Sequence, residues 1–116
     1  MEGREKISGF AWLLAHPNLA LGIPWIVKAE FLRGAAVAGH ESHEVCEFLA
    51  RYPTIWPDEE SLEIYATLFA EMRRQNALIG PHDLWIAVAA LQCRVPLVSR
   101  NTDEFGKVPE LQVERY

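Results

Sequence analysis

Leu84 to Leu91 reads LWIAVAAL, eight consecutive apolar residues. A helix built from them has almost no wet face, so it must be covered on nearly every side by other layers of the fold. The run is too short for a membrane span, which needs about 18 apolar residues. Pro81 suits the first helical position, which makes Asp83 the third and sets a carboxylate at the entrance to the most apolar segment of the chain. A charge there either answers the helix dipole or is held for chemistry, and the rest of the sequence has to decide between the two.

The neighbouring segments supply the layers. GREKISGFAWLLA, residues 3–15, spaces Ile7, Phe10, Ala11 and Leu14 as an amphipathic helix does, and His16-Pro17-Asn18 stops it. LALGIPWIV is short, branched and aromatic, and is predicted as a strand ending near Val27, bent at Pro24. AEFLRGAAVAG reads as a helix closed by Gly39. ESHEVCEFLARY is a second helix, with Val45, Phe48 and Leu49 inward. TIWP is a short strand. Asp58 opens a long helix with acids in its first turn and Arg73-Arg74 in its last, the polarity the dipole favours. Its core stripe is expected at Leu62, Tyr65, Ala66, Leu68 and Phe69. VPLVSRN and LQVERY are further strands. Strands separated by helices predict an α/β fold with a parallel sheet covered on both faces.

A chain of 116 residues is expected to form a single domain. The charged N-terminus, MEGREKISGF, lacks an apolar export core, and Cys46 and Cys93 show no CxxC spacing, so a cytoplasmic protein with reduced, core or near-core thiols is expected. A net charge of −5 argues against binding nucleic acid by bulk charge. It leaves room for an enzyme that reaches phosphates through bound metal ions and a few arginines.

In α/β folds ligands bind beyond the carboxyl ends of the strands. IPWIV runs into Lys28-Ala29-Glu30, and PLVS into Arg100-Asn101-Thr102-Asp103-Glu104. Asp83 begins the helix that leads to the second of these strands. Taken singly, Glu30 reads as a first-turn helix residue, Asp83 as a dipole partner and Asn101 as a turn residue. Taken together, they put acids and an amide on one rim. Crowded carboxylates repel unless a cation lies between them. Oxygen donors without a matching His or Cys set suit Mg2+ (or Mn2+) rather than zinc, and the chemistry such a pocket supports is hydrolysis of a phosphodiester. Arg100, beside these residues, is the candidate phosphate contact. Arg73 and Arg74 serve solubility equally well.

Other signals have two readings. HESHEVCE places His40, His43, Glu44 and Glu47 near one another, as a zinc site or, more ordinarily, a solvated helix face. Trp12, Trp25, Trp56 and Trp85 suit core packing better than a base-stacking platform. A flavodoxin-like small-molecule domain would want a Gly-rich or Ser/Thr-rich phosphate loop after a strand, and none is present.

The segments IGPHDLWIAVAALQCRVPLVSRNTDEFGKVPELQVERY and AEFLRGA carry a resemblance. Ile-Gly-x-x-Asp before an Ala-rich apolar helix, then a strand and Arg-Asn-Thr-x-x-Phe, resembles the PIN-domain ribonucleases, in particular the VapC-type toxins of toxin–antitoxin pairs. The likeness runs from about residue 19 to the end. It implies a three-layer PIN-like α/β fold and a metal-dependent endoribonuclease acting on RNA. It also implies a homodimer and a cognate VapB-type antitoxin that occludes the site. By position Glu30 matches the family's second acidic residue and Asp83 its third, both as metal ligands. Asn101 falls where many members have Asp and many toxins Asn, and Glu104 where an acid precedes the Phe.

One departure stands out. Members resembling this chain begin with a strand ending in Asp-Thr, whose Asp is the first metal ligand, yet no Asp precedes Asp58 here. Glu2 and Glu5 lie in the segment read as helix. The domain is therefore expected to be N-terminally incomplete, its first strand missing. IPWIV and VPLVS should then show a split sheet, or a partner chain filling the gap. The alternative function is a catalytically impaired PIN-fold interaction module that keeps the dimer and antitoxin surfaces.

Overall fold

The structure, a computed structural model, describes residues 21–116. The helix expected over residues 3–15, with Trp12, Glu2 and Glu5, lies outside the described residues. The chain divides into two compact units, Met1–Ile55 and Trp56–Tyr116.

In the first unit, β1 (Ile23–Pro24) leads directly into α1 (Trp25–Val37), followed by α2 (Ser42–Leu49) and β2 (Thr54–Ile55). The strands pair in parallel, Ile23 opposite Thr54 and Pro24 opposite Ile55. The strand expected to reach Val27 therefore ends at Pro24. Proline holds the residue before it extended and has no N–H to give a ladder, while Ile23 before it donates to Pro53 O at 2.9 Å. Trp25, Ile26 and Val27 form the first turn of α1 instead. Their β-propensity is overridden by the helix-forming residues that follow, as a weak local preference is. At the other end Gly39, at φ +75°, closes α1 as expected. The His40 N–H reaches back to Ala35 O at 2.9 Å, satisfying a terminal carbonyl.

The inward face expected for α2 is present: Leu49 is buried, and Val45 and Phe48 are half-buried. Cys46, on the same helix, is exposed, as is Cys93, so neither thiol is a core residue. Both sit on helix positions turned away from the buried stripe, which the spacing of cysteines does not reveal.

The second unit holds α3 (Glu59–Arg74), α4 (Pro81–Cys93), β3 (Leu97–Val98), α5 (Thr102–Phe105) and β4 (Val113–Glu114). Asp58 caps α3 through a reciprocal pair: its carboxylate accepts from the Ser61 N–H at 2.9 Å, while the Asp58 N–H donates to the Ser61 hydroxyl. This cap buries Ser61 completely and sets the helix's rotation. The inward face becomes Ser61, Ile64, Tyr65, Leu68 and Met72, while Leu62 and Phe69 are exposed, at 51% and 37%, and so is Ala66. The expected stripe mixed two faces. Only Tyr65 and Leu68 of it point in.

One buried cluster organises this unit, joining Leu68 and Met72 of α3, Ile79, Leu84, Ala87 and Val88 of α4 and its approach, and Phe105 and Val108. Trp85 is half-buried and stacks on Tyr65 with centroids 4.3 Å apart. Trp56 is 65% exposed and does not share the expected core role. β3 and β4 pair in parallel, Leu97 opposite Val113 and Val98 opposite Glu114. VPLVSRN is thus a strand only at its centre, with Val95 exposed.

The described strands form two parallel pairs, β1–β2 in the first unit and β3–β4 in the second. Helices alternate with parallel strands throughout, and the fold class is α/β as the sequence predicts. Among the described residues no helix is long and apolar enough to cross a membrane.

Candidate active site

Asp83 is the third residue of α4, after Gly80 at the N-cap and Pro81 at the first position. The three turns behind it carry Leu84, Ala87, Val88, Ala89 and Ala90, all buried. Small side chains let this helix sit close to its neighbours, so the half-buried carboxylate of Asp83 stands on a rigid base. Its position at a helix N-terminus also favours its negative charge.

Arg100, Asn101 and Glu104 follow β3 in one stretch. The strand's last bond runs from the Ser99 N–H to Glu114 O at 2.9 Å. The Asn101 N–H then donates to the Ser99 hydroxyl at 3.0 Å, turning the chain into α5. Asn101 is the N-cap residue of α5, yet its side chain makes no cap hydrogen bond, and it is exposed. Glu104 is paired with Lys107 at 3.3 Å, with both side chains substantially exposed. Such a pair contributes at most about 1 kcal/mol, so it does not hold the carboxylate against a stronger competitor. Leu84 and Phe105, the neighbours of Asp83 and Glu104, belong to the same buried cluster. The two acid-bearing segments are therefore fixed on one core.

Glu30 lies in the other unit. Because α1 starts at Trp25, Glu30 is its sixth residue, and no acid occupies the first turn. The reading of Glu30 as a first-turn helix residue is excluded by that placement. The side chain is 33% exposed, with Arg33 at 3.9 Å, one turn on.

Among the described residues there is no group of three or more His, Cys, Asp or Glu placed to hold a metal ion. His43 and Glu47 form an exposed pair at 3.2 Å, the ordinary reading of that helix face. Arg74 is paired with Glu71. One residue that sequence reasoning passed over is Lys28, whose ammonium donates to the carbonyls of Leu49 at 3.2 Å and Tyr52 at 2.7 Å. Nothing in local spacing signals a contact across more than twenty residues.

The PIN domain family matches residues 1–111. The chain is 31% identical over 117 residues to ribonuclease VapC1 of Haemophilus influenzae strain R2866, covering 97% of this chain and 86% of that protein. It is 35% identical over 120 residues to ribonuclease VapC of Rickettsia bellii, covering 95% and 84%. Among solved structures it is similar to VapBC2 from Rickettsia felis bound to a promoter DNA fragment, with a TM-score of 0.79 at 26% identity, covering 95% of this chain and 84% of that one. It is also similar to VapBC-1 from nontypeable Haemophilus influenzae, with a TM-score of 0.78 at 28% identity, covering 99% and 88%. The α/β elements and the acid-headed apolar helix define a PIN fold, and the chain belongs to the PIN domain family. Its likeness within that family is to the VapC ribonucleases.

Proposed function

We propose that this protein is a Mg2+- (or Mn2+-) dependent endoribonuclease of the VapC toxin type, hydrolysing RNA phosphodiester bonds. The observation that carries the reading is Asp83 at the third position of the buried helix α4, in a chain 31% and 35% identical to VapC ribonucleases. The donors fit a hard divalent cation in kind, because Glu30, Asp83, Asn101 and Glu104 offer only oxygen. When bound, that cation supplies activation of water and neutralisation of phosphate charge.

The proposed roles of the residues follow from their donor chemistry and their match to the family's motifs. Glu30 and Asp83 would hold the ion through carboxylate oxygens. Asn101 adds a neutral amide oxygen, which limits the charge repulsion a further acid would bring. Glu104, released from Lys107, orients water, and Arg100 donates to a substrate phosphate. The solved VapBC neighbours support a VapB-type antitoxin as partner, and the reading includes a homodimer. The test is cleavage of single-stranded RNA by the purified chain, with magnesium and with a chelator. Cleavage that the chelator abolishes is expected, and cleavage indifferent to it would sink the metal-dependent reading.

A second reading rests on one observation, that no Asp precedes Asp58. On it, the chain is a catalytically impaired interaction module that binds the antitoxin. Antitoxin binding without magnesium-dependent cleavage would select it.

A further inference from the structure

Lys28 is half-buried and faces the end of a helix that its own helix packs against. Leu49 is the last residue of α2, and its carbonyl is one of the terminal acceptors that no later N–H of the helix reaches. It takes a bond from the Tyr52 N–H at 3.1 Å and a second from the Lys28 ammonium at 3.2 Å. The same ammonium donates to Tyr52 O at 2.7 Å. A cation at a helix C-terminus is also favoured by the dipole. Lys28 is thus both a cap for α2 and a crosslink from α1.

That crosslink is well placed to fix the rotation of α1. Pro24, at the helix's start, makes no side-chain cap bond, and the parallel pairing of β1 stops there. Lys28 lies one turn in, and Ala35, seven residues further and so on nearly the same face, is buried. Glu30 is two residues from Lys28, about 200° around the helix, and faces away from α2. Any roll of α1 about its axis would break the Lys28 bonds and swing the Glu30 carboxylate together.

We propose that Lys28 is a positioning residue for Glu30, holding α1 in one rotation by clamping the C-terminal carbonyls of α2. The inference rests on the proposed role of Glu30 as a metal ligand. It assigns Lys28 no contact with substrate or metal.

The experiment compares wild type with Lys28→Met, Lys28→Arg and Glu30→Gln. Mn2+ is the probe, followed by paramagnetic resonance, and the backbone amide resonances of residues 29–33 are recorded without metal. Lys28→Met keeps the apolar stem and removes the donors. It should weaken Mn2+ binding about tenfold, the usual size of a supporting-residue effect, and shift the Glu30 amide resonance. Lys28→Arg, which keeps donors, should restore most of both. Wild-type Mn2+ affinity in Lys28→Met, or equal weakness in Lys28→Arg, would overturn the proposal. If Glu30→Gln binds Mn2+ as wild type does, or wild type binds none, the metal reading of Glu30 fails. The clamp is then judged on the resonances alone: shifted in Lys28→Met and restored in Lys28→Arg, it stands; unmoved, it falls.

Discussion

Gly39, Asn76 and Arg94 each sit in the left-handed backbone region just past a helix, at φ of 75°, 56° and 57°. In all three the next N–H reaches back to a carbonyl in the last turn: His40 to Ala35, Ala77 to Met72, Val95 to Ala90. Glycine adopts this conformation freely and asparagine tolerates it, but arginine pays a steric cost of about 1 kcal/mol. Arg94→Gly should therefore raise stability by up to about 1 kcal/mol, read from the urea midpoint. Asp83 invites the opposite experiment. Asp83→Ala should abolish RNA cleavage while changing stability by less than about 1 kcal/mol, since the lost helix-dipole interaction is small. A large fall in melting temperature would return Asp83 to a purely structural role. The place of Asp83 was legible because Pro81 and the apolar run fix its helical position. Lys28 was not legible, because its partners Leu49 and Tyr52 meet it only through the tertiary fold.

α3 shows how an element can be read correctly in extent and wrongly in rotation. Its start at Asp58, its acidic first turn and its Arg73-Arg74 end all follow from the sequence. Its inward face does not, because Leu62 and Phe69 are as apolar as Leu68 and Met72. What decides is the Asp58–Ser61 cap and the cluster that encloses Met72 at 0% exposure. Met72→Ala should cost about 2–5 kcal/mol, whereas Phe69→Ala, on the exposed face, should cost under about 1 kcal/mol. Chemical denaturation of the two variants checks this, and equal losses would mean that Phe69 is covered in solution. The strand IPWIV failed for a different reason. Pro24 ends the ladder, and helix formation from Trp25 onward overrides the preference of Trp25, Ile26 and Val27. That error placed Glu30 a full turn too close to the start of its helix.

At the scale of the molecule, the alternation of helices with parallel strands was legible from periodicity and turn residues alone. The described strands pair as β1–β2 and β3–β4. Which acids act together is a matter of tertiary placement, and the proposed function turns on it. Its central claim is that Glu30 and Asp83 serve one divalent cation in RNA cleavage. Residues that act as one catalytic unit are strongly non-additive: losing either costs nearly as much as losing both. The direct measurement is the magnesium-dependent RNA cleavage rate of wild type, Glu30→Gln, Asp83→Asn and the double variant. Each single substitution should lower the rate by about a hundredfold or more, and the double should be no slower than the worse single. Multiplying losses, or a single variant that cleaves like wild type, would contradict the account.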